Sequence, residues 1–151
     1  MEARRASTRA MVLRDSRRRA YNPTQMAFSY AIDVAKQLVT GTFSGSVDGA
    51  AVASAFRTVY TDVAWQPGFD TIWEATGITE LLLGPTDLAM LVAVHREFGA
   101  VAGTGLEIIV VSRSLDHAMA RMYGVMMRYQ ARRVHVCRSV VEAADLLERR
   151  N

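Results

Sequence analysis

Leu106-Glu107-Ile108-Ile109-Val110-Val111 is a nearly unbroken apolar run that is rich in β-branched residues. Such a run is typical of a strand covered on both faces, so we predict that it lies near the centre of a sheet. Gly103 and Gly105 place a loop before it, and Ser114 after it is a candidate N-cap. This strand is therefore flanked by helical segments.

The residues that follow this run predict a helix, a strand and a final helix. Arg133–Cys137 has the composition of a strand, in which His135 would face away from Val134 and Val136. Ser139-Val140-Val141-Glu142 matches the spacing of a capping box and should start the final helix. The helix capped by Ser114 has apolar residues at helical spacing that we expect to face inward: Leu115, Met119, Met122, Val125, Met126 and Tyr129.

Two further helices are predicted before the apolar run. One covers Thr86–Phe98, where Gly84-Pro85 can precede the first turn and Gly99 can stop the last one. The other has Ser46 as its candidate N-cap and carries apolar residues at helical spacing as far as Val63.

The remaining segments predict strands. Residues 28–43 form two alternating runs around a turn near 33–36, which indicates a hairpin, and Phe69–Ala75 and Ile78–Leu83 are separated by a loop at Thr76-Gly77. Strands that alternate with helices imply a largely parallel sheet, to which the hairpin adds an antiparallel strand. The predicted fold class is α/β, with a mixed sheet of four to five strands, about four helices and an N-terminal β-hairpin.

Positive charge is concentrated at the N-terminus. Residues 1–20 hold seven arginines against two acidic residues, a net charge of +5, and the rest of the chain carries −2. Residues 1–25 have no sustained apolar period, so we predict a flexible basic extension followed by one domain over 26–151. Met26 directly precedes the first patterned segment, and one interpretation is that translation begins there or that the tail is inert. The other is an arm for nucleic acid or a membrane surface.

The composition also limits the compartment. Charges and glycines interrupt every apolar run before the roughly 18 residues that a membrane span needs, and the N-terminus lacks the pattern of a secretory signal. Cys137 is the single cysteine, so no intramolecular disulfide is available, and its apolar neighbours favour a buried side chain over a nucleophile. We expect a cytoplasmic protein.

The sequence predicts no catalytic site, no metal site and no cofactor. His95 lies on the apolar face of its helix without a second histidine three or four residues away, which favours a hydrogen-bonded core residue. Ser114, Asp116 and His117 do not form a convincing triad, because neighbouring helical residues point about 100° apart. The glycines match neither common phosphate-binding loop, so nucleotide chemistry is not supported. We also expect no specific nucleic-acid partner.

Two places are candidates for binding. The first is a candidate pocket beneath the methionine-rich helix, for which simple core filling is the alternative, and its residues are Met119, Met122, Met126 and His95. The second is the turn Gly84-Pro85-Thr86-Asp87, where unpaired amides at a helix start allow Thr86 to act as a cap, an anion contact or a phosphate carrier. An ordinary Thr or Asp cap is the alternative there.

Three local phrases resemble a known family: Phe28-Ser29-Tyr30-Ala31-Ile32-Asp33, Gln66-Pro67-Gly68-Phe69-Asp70 and Ala75-Thr76-Gly77-Ile78-Thr79-Glu80. With the order of elements, they resemble small bacterial proteins with the fold of the sulfate transporter and anti-sigma factor antagonist (STAS) domain, described as SpoIIAA-like and sometimes grouped with the lipid-binding Sec14 type. The resemblance covers residues 26 to 149.

This resemblance implies a mixed sheet with helices mainly on one side and a role in protein interaction. In the antagonists of this fold, a serine or threonine near the start of the helix after the third strand is phosphorylated by a partner kinase. The nearest position here is Thr86, although Gly84-Pro85-Thr86-Asp87 departs from the usual Asp-Ser-Ser-Gly or Asp-Ser-Thr-Gly phrase. The functional hypothesis is a non-enzymatic regulatory module with a protein partner, and the alternative is a carrier of a small molecule or lipid.

Overall fold

The computed structural model describes residues 7–11 and 26–150, which form a six-stranded sheet and four α-helices. The strands, which lie side by side in chain order, are β1 (Ser7–Met11), β2 (Ala27–Asp33), β3 (Leu38–Asp48), β4 (Asp70–Leu82), β5 (Gly105–Val110) and β6 (Arg132–Cys137). The helices are α1 (Gly49–Tyr60), α2 (Pro85–Phe98), α3 (Ser114–Met126), which continues into a 3-10 turn at Met127–Tyr129, and α4 (Val140–Arg150).

The sheet is mixed, as the sequence predicts. β2 and β3 form an antiparallel hairpin, and β3, β4, β5 and β6 are parallel neighbours. Residues 26–150 contribute five strands and four helices, so the predicted α/β class, strand number and N-terminal hairpin are confirmed.

β1 lies inside the segment for which we predicted a flexible extension. Its five residues pair antiparallel with β2, from Ser7 opposite Ile32 to Met11 opposite Phe28. The sequence of this strand has no apolar pattern from which it could be predicted. Pairing along a sheet edge uses backbone N–H and C=O groups, which do not depend on the pattern of side chains. The rest of the predicted extension, 1–6 and 12–25, lies outside the described residues, and so does Asn151.

The helices cover the two faces of the sheet unequally. α1, α2 and α3 pack on one face, where the buried aromatic side chains of Phe28, Phe43 and Trp73 lie. α4 covers the other face, where Ala143 packs against the Ile108 and Val110 side of β5. β5 is therefore covered on both sides, as its apolar composition predicts.

Gly41 in β3 has no side chain, which leaves space for the indole of Trp73 against the strand. A Cβ atom at Gly41 would lie 2.7 Å from two ring carbons of Trp73 and 3.0 Å from the ring of Phe28. Any side chain at this position would therefore displace the indole that occupies the centre of the α1–α3 face.

Several local predictions differ from the structure, among them the cap predicted at Ser114, which is the first residue of α3 and follows the N-cap Arg113. The loop predicted at Thr76-Gly77 does not exist, because β4 runs through it as one strand that stays paired with β3 across irregularities at Thr42/Ser44 and Gly45/Ser46. The cap predicted at Ser46 is instead Asp48, whose carboxylate accepts from the backbone N–H of Ala51 at 2.8 Å. The capping interaction predicted at Ser139 is present, since its hydroxyl accepts from the N–H of Glu142.

Candidate functional site

A buried carboxylate lies in the middle of the sheet. Glu107 is one residue into the apolar run and is completely buried, on the face that α1–α3 cover. The indole Nε1 of Trp73 donates to its Oε1 at 2.8 Å, and the hydroxyl of Tyr123 lies 3.3–3.4 Å from both carboxylate oxygens. We predicted Glu107 as part of a hydrophobic strand and assigned it no role. The only signal for this site in the sequence is one charged residue among the aliphatic residues of the run.

His95 on α2 is the ionic partner of this carboxylate. Its Nε2 lies 3.4 Å from Glu107 Oε2 and 2.9 Å from the hydroxyl of Tyr60, while its Nδ1 lies 3.1 Å from the carbonyl oxygen of Leu91. His95 is a buried, hydrogen-bonded core residue, as predicted. We did not predict that this histidine would meet a carboxylate inside the core.

The charges in this cluster stabilise each other. Burial by itself lowers the pKa of His95, but the charge of Glu107 and its hydrogen bond outweigh burial and raise that pKa. Burial by itself raises the pKa of Glu107, but His95 and Arg132 outweigh it and lower that pKa. Burial, followed by the charge of Glu107, raises the pKa of Tyr60 and Tyr123. We conclude that the cluster contains a charged His95–Glu107 pair and two neutral tyrosines.

This pair predicts a stability maximum between about pH 4.5 and 6.5. The raised pKa of His95 contributes stability that is complete below its ordinary value of 6.5 and is lost as pH rises through the folded-state pKa. The lowered pKa of Glu107 contributes stability above its ordinary 4.5 that is lost on acidification. Urea unfolding should show that the free energy of unfolding falls, above pH 6.5, by up to about 1.4 kcal/mol per pH unit. That slope should vanish in His95→Gln, and an identical slope in both proteins would contradict the assignment.

A small apolar cavity of about 80 Å³ adjoins the cluster, between the sheet and α1–α3. Trp73 and Tyr123 line it with their rings while their polar ends bond to Glu107, so the carboxylate orients two walls of the cavity. Of the four residues predicted to form a pocket, the cavity is lined by Met119. Met126 packs against the core instead, Met122 is exposed, and His95 belongs to the buried cluster.

Asp116 also lines this cavity but is held by Arg113. The Nε and an Nη nitrogen of Arg113 donate to the two carboxylate oxygens of Asp116 at 2.8 and 3.0 Å, and the other Nη donates to the carbonyl of Thr79 on β4. Arg113 thus ties the start of α3 to the far end of β4. Because both oxygens of Asp116 accept from Arg113, the carboxylate has a structural partner.

α3 faces the core with only part of the side that we predicted, because Met119 and Met126 are half-buried and pack against the core as expected. Its fully buried residues are Asp116, Ala120, Tyr123 and the following Met127. The hydroxyl of Tyr123 bonds to Glu107 and Asp116 bonds to Arg113, so two polar contacts set the rotation of the helix. Four residues that we predicted to be buried are exposed as a consequence, and we call them the α3 stripe: Leu115 (70%), Met122 (46%), Val125 (61%) and Tyr129 (81%).

The predicted loop Gly84–Asp87 forms the start of α2. The carboxylate of Asp87 accepts from the N–H of Gly84 at 2.8 Å, so Asp87 serves as a cap within this turn. A Cβ at Gly49 would lie 2.7 Å from Asp87 Oδ1, which shows how closely α1 and α2 begin together. Thr86 is exposed in the first turn. Its role as a phospho-acceptor stays a prediction.

A groove of about 490 Å³ runs between α3 and β6. Its apolar lining comes from Val125, Val134 and Val136, and its cationic or titratable lining comes from His117, Arg121, Arg128 and His135. A Cβ at Gly124 would lie 3.4 Å from Val134, so the glycine leaves this valine open to the groove. We predicted no site here. His135 is exposed and alternates with the half-buried Val134 and Val136, as its position in the strand predicts.

Two searches of residues 7–11 and 26–150 gave negative results. No group of three or more His, Cys, Asp or Glu side chains is arranged to hold a metal ion in this part of the chain. No helix there is both long and apolar enough to cross a membrane. The buried thiol of Cys137 has a raised pKa, because of burial and the charge of Glu142.

The described fold and sites define an α/β domain with a mixed sheet, a sealed ionic core and an exposed apolar helix face. No protein-family model and no curated protein matches the sequence. Among solved structures, an uncharacterised protein of the DUF3478 family from Shewanella loihica PV-4 is similar, with 10% identity, 97% of this chain and 98% of that chain covered, and a TM-score of 0.47. Its description names a SpoIIAA-like fold, the fold that the sequence resemblance implies.

Proposed function

We propose that this chain is a non-enzymatic regulatory module that binds another protein through the outer face of α3. The observation that carries the proposal is the α3 stripe, whose members are 46–81% exposed. Three of them lie on one face of α3, at the spacing by which a helix meets a partner element, and Tyr129 follows in the 3-10 turn that continues the helix. Contiguous exposed apolar surface of this kind marks interaction sites, whereas single exposed apolar residues do not.

The absence of enzymatic activity is part of the same proposal. The residues best suited to proton transfer, His95 and Glu107, are 4% and 0% exposed and are already paired with each other. A general acid or base must come within hydrogen-bond reach of its substrate, and this pair does not meet solvent. Their charges instead fix the helices against the sheet and thereby present the α3 stripe.

A photocrosslinking experiment tests the proposal. Benzoylphenylalanine placed at Val125 should yield an adduct with one protein in the source cells, and the same group at Val63, an isolated valine that is 92% exposed, should not. With the purified partner, Met122→Ser/Val125→Ser should weaken binding by about tenfold or more, because apolar contacts at the centre of an interface carry much of its energy. Val63→Ser is the matched control.

Stability measurements accompany this test. Both serine variants should unfold within about 0.5 kcal/mol of the parent, since the substituted side chains are exposed. Equal adducts at both positions, or equal affinity of all variants for the partner, would contradict the proposal.

A second candidate function, transport of a small apolar ligand, is favoured by the apolar cavity of about 80 Å³. That volume is well below the 300–1,000 Å³ of typical ligand pockets, so it suits only a small group or one end of a longer molecule. Native mass spectrometry of the gently purified protein separates the two functions. A retained small-molecule mass that disappears on denaturation would support the carrier, and the bare chain mass is expected for the interaction module.

A further inference from the structure

We propose that the groove between α3 and β6 receives an extended acidic segment of a partner protein, which adds to the sheet as a strand beside β6. This inference rests on the proposed function and specifies the chemistry of the partner. Three features of the described residues carry it: an unpaired strand edge, an alternating pattern of side chains along that edge, and the charge of the groove.

β6 ends the sheet within the described part of the chain. It pairs with β5 on one side, from Arg132 opposite Gly105 to Cys137 opposite Val110, and its other edge adjoins the groove. Three consecutive residues of β6, Val134, His135 and Val136, line the groove, although their side chains alternate between the two faces of the sheet. The groove therefore follows the edge of the strand, where outward backbone N–H and C=O groups offer a template for another strand.

The side chains of β6 specify what would lie beside it. Val134 and Val136 point to the α3 side, and Arg133 and His135 point to the other side. Residues directly opposite one another in neighbouring strands stabilise the pair when they are both apolar or have opposite charges. An added strand should therefore alternate apolar residues, facing the valines, with acidic residues, facing Arg133 and His135.

The α3 side of the groove also carries positive charge, the same sign as Arg133 on β6. Arg121 and Arg128 lie on its lining, and no Asp or Glu is among the lining residues. The guanidinium of Arg128 lies 4.7 Å from the ring centre of Tyr129, which holds one of these charges next to the α3 stripe. A second copy of this chain would bring another Arg133, Arg121 and Arg128 to an edge that already carries these cations, so the edge favours an acidic partner over itself.

A matched set of labelled peptides tests this inference. The probe is an acetylated octapeptide of alternating glutamate and valine, and its counterpart replaces every glutamate with lysine. The acidic probe should bind saturably and the lysine probe should not. Two further probes carry backbone N-methyl groups on the four valines or on the four glutamates. An added strand turns only alternate N–H groups toward its neighbour, so one methylated series should lose binding and the other should keep it.

Charge reversal in the groove provides the protein controls. Arg128→Glu/Arg133→Glu should weaken binding of the acidic probe by at least about tenfold at low salt, because complementary charge is removed and like charge is introduced. Lys36→Glu/Arg96→Glu makes the same change in net charge at exposed positions on the hairpin turn and α2, and it should leave binding nearly unchanged.

Four results would overturn the inference: no binding of the acidic probe, equal binding of the lysine probe, equal binding of both methylated series, or binding of a thymidine dodecamer in preference to every peptide. The last would identify a nucleic-acid groove. Failure of the proposed function is distinguishable, because it is measured by the adduct at Val125. An adduct whose partner tolerates Arg128→Glu/Arg133→Glu would leave the interaction module standing and remove only the acidic strand.

Discussion

Glu107→Ala is expected to lower the free energy of unfolding by about 3–5 kcal/mol, the cost of removing one member of a buried ion pair. The substitution leaves the imidazole of His95 without its anion and the indole N–H of Trp73 without its acceptor. It also removes a negative charge that interacts with Arg132, which is itself only 2% exposed. Each of these groups would then be buried without the hydrogen-bond acceptor or the opposite charge that Glu107 provides.

Urea unfolding at pH 6 measures this loss, and two variants separate its causes. Glu107→Gln keeps an acceptor for Trp73 and lacks the charge, so it should lose less than Glu107→Ala. Glu107→Leu/His95→Leu removes both members of the pair and should recover part of the loss, since apolar pairs often replace buried ion pairs at little cost. A Glu107→Ala protein within 1 kcal/mol of the parent would show that the pair adds little net stability.

The second large effect is expected at Arg132. Its guanidinium donates to the carbonyl oxygens of Ala102, Phe69 and Leu106 and to the hydroxyl of Thr71, at 3.0–3.4 Å. Arg132 thus ties the loop before β5 to the starts of β4 and β5. Arg132→Met keeps an unbranched side chain but removes the guanidinium, so these acceptors lose its hydrogen bonds, and it should cost about 3 kcal/mol.

Arg132→Lys is the matched variant for this experiment. It keeps the positive charge near Glu107 but cannot reproduce the planar fork of donors, so its unfolding free energy should fall between the parent and Arg132→Met. The effects of Arg132→Met and Glu107→Gln should be non-additive, because the two charges interact in the same core. Strict additivity would mean that Arg132 acts through its carbonyl contacts alone.

The elements that the sequence predicts best are those whose evidence is local. The apolar run at 106–111 became the doubly covered strand, and Ser139 and Glu142 form the predicted capping contact. Alternation on both sides of a turn correctly indicated the hairpin of β2 and β3. Each of these signals depends on residues a few positions apart, so no distant contact has to be known.

The predictions that failed depended on distant contacts. The rotation of α3 was set by Tyr123, whose hydroxyl bonds to Glu107 on β5, and by Asp116, whose partner Arg113 also donates to the carbonyl of Thr79 on β4. The loop predicted at Thr76-Gly77 became strand because β3 continues alongside it and supplies hydrogen-bond partners. In both cases, tertiary pairing outweighed local preference.

The sequence by itself determined the α/β class, the hairpin, most of the element order and the burial of His95, because these follow from the periodicity of apolar residues and from turn chemistry. Only the tertiary structure decided which charge lies next to His95, which face of α3 meets solvent and which strand edge is unpaired among the described residues. Those features arise where residues far apart in the chain meet, and the energy of a buried charge depends on all of its neighbours at once.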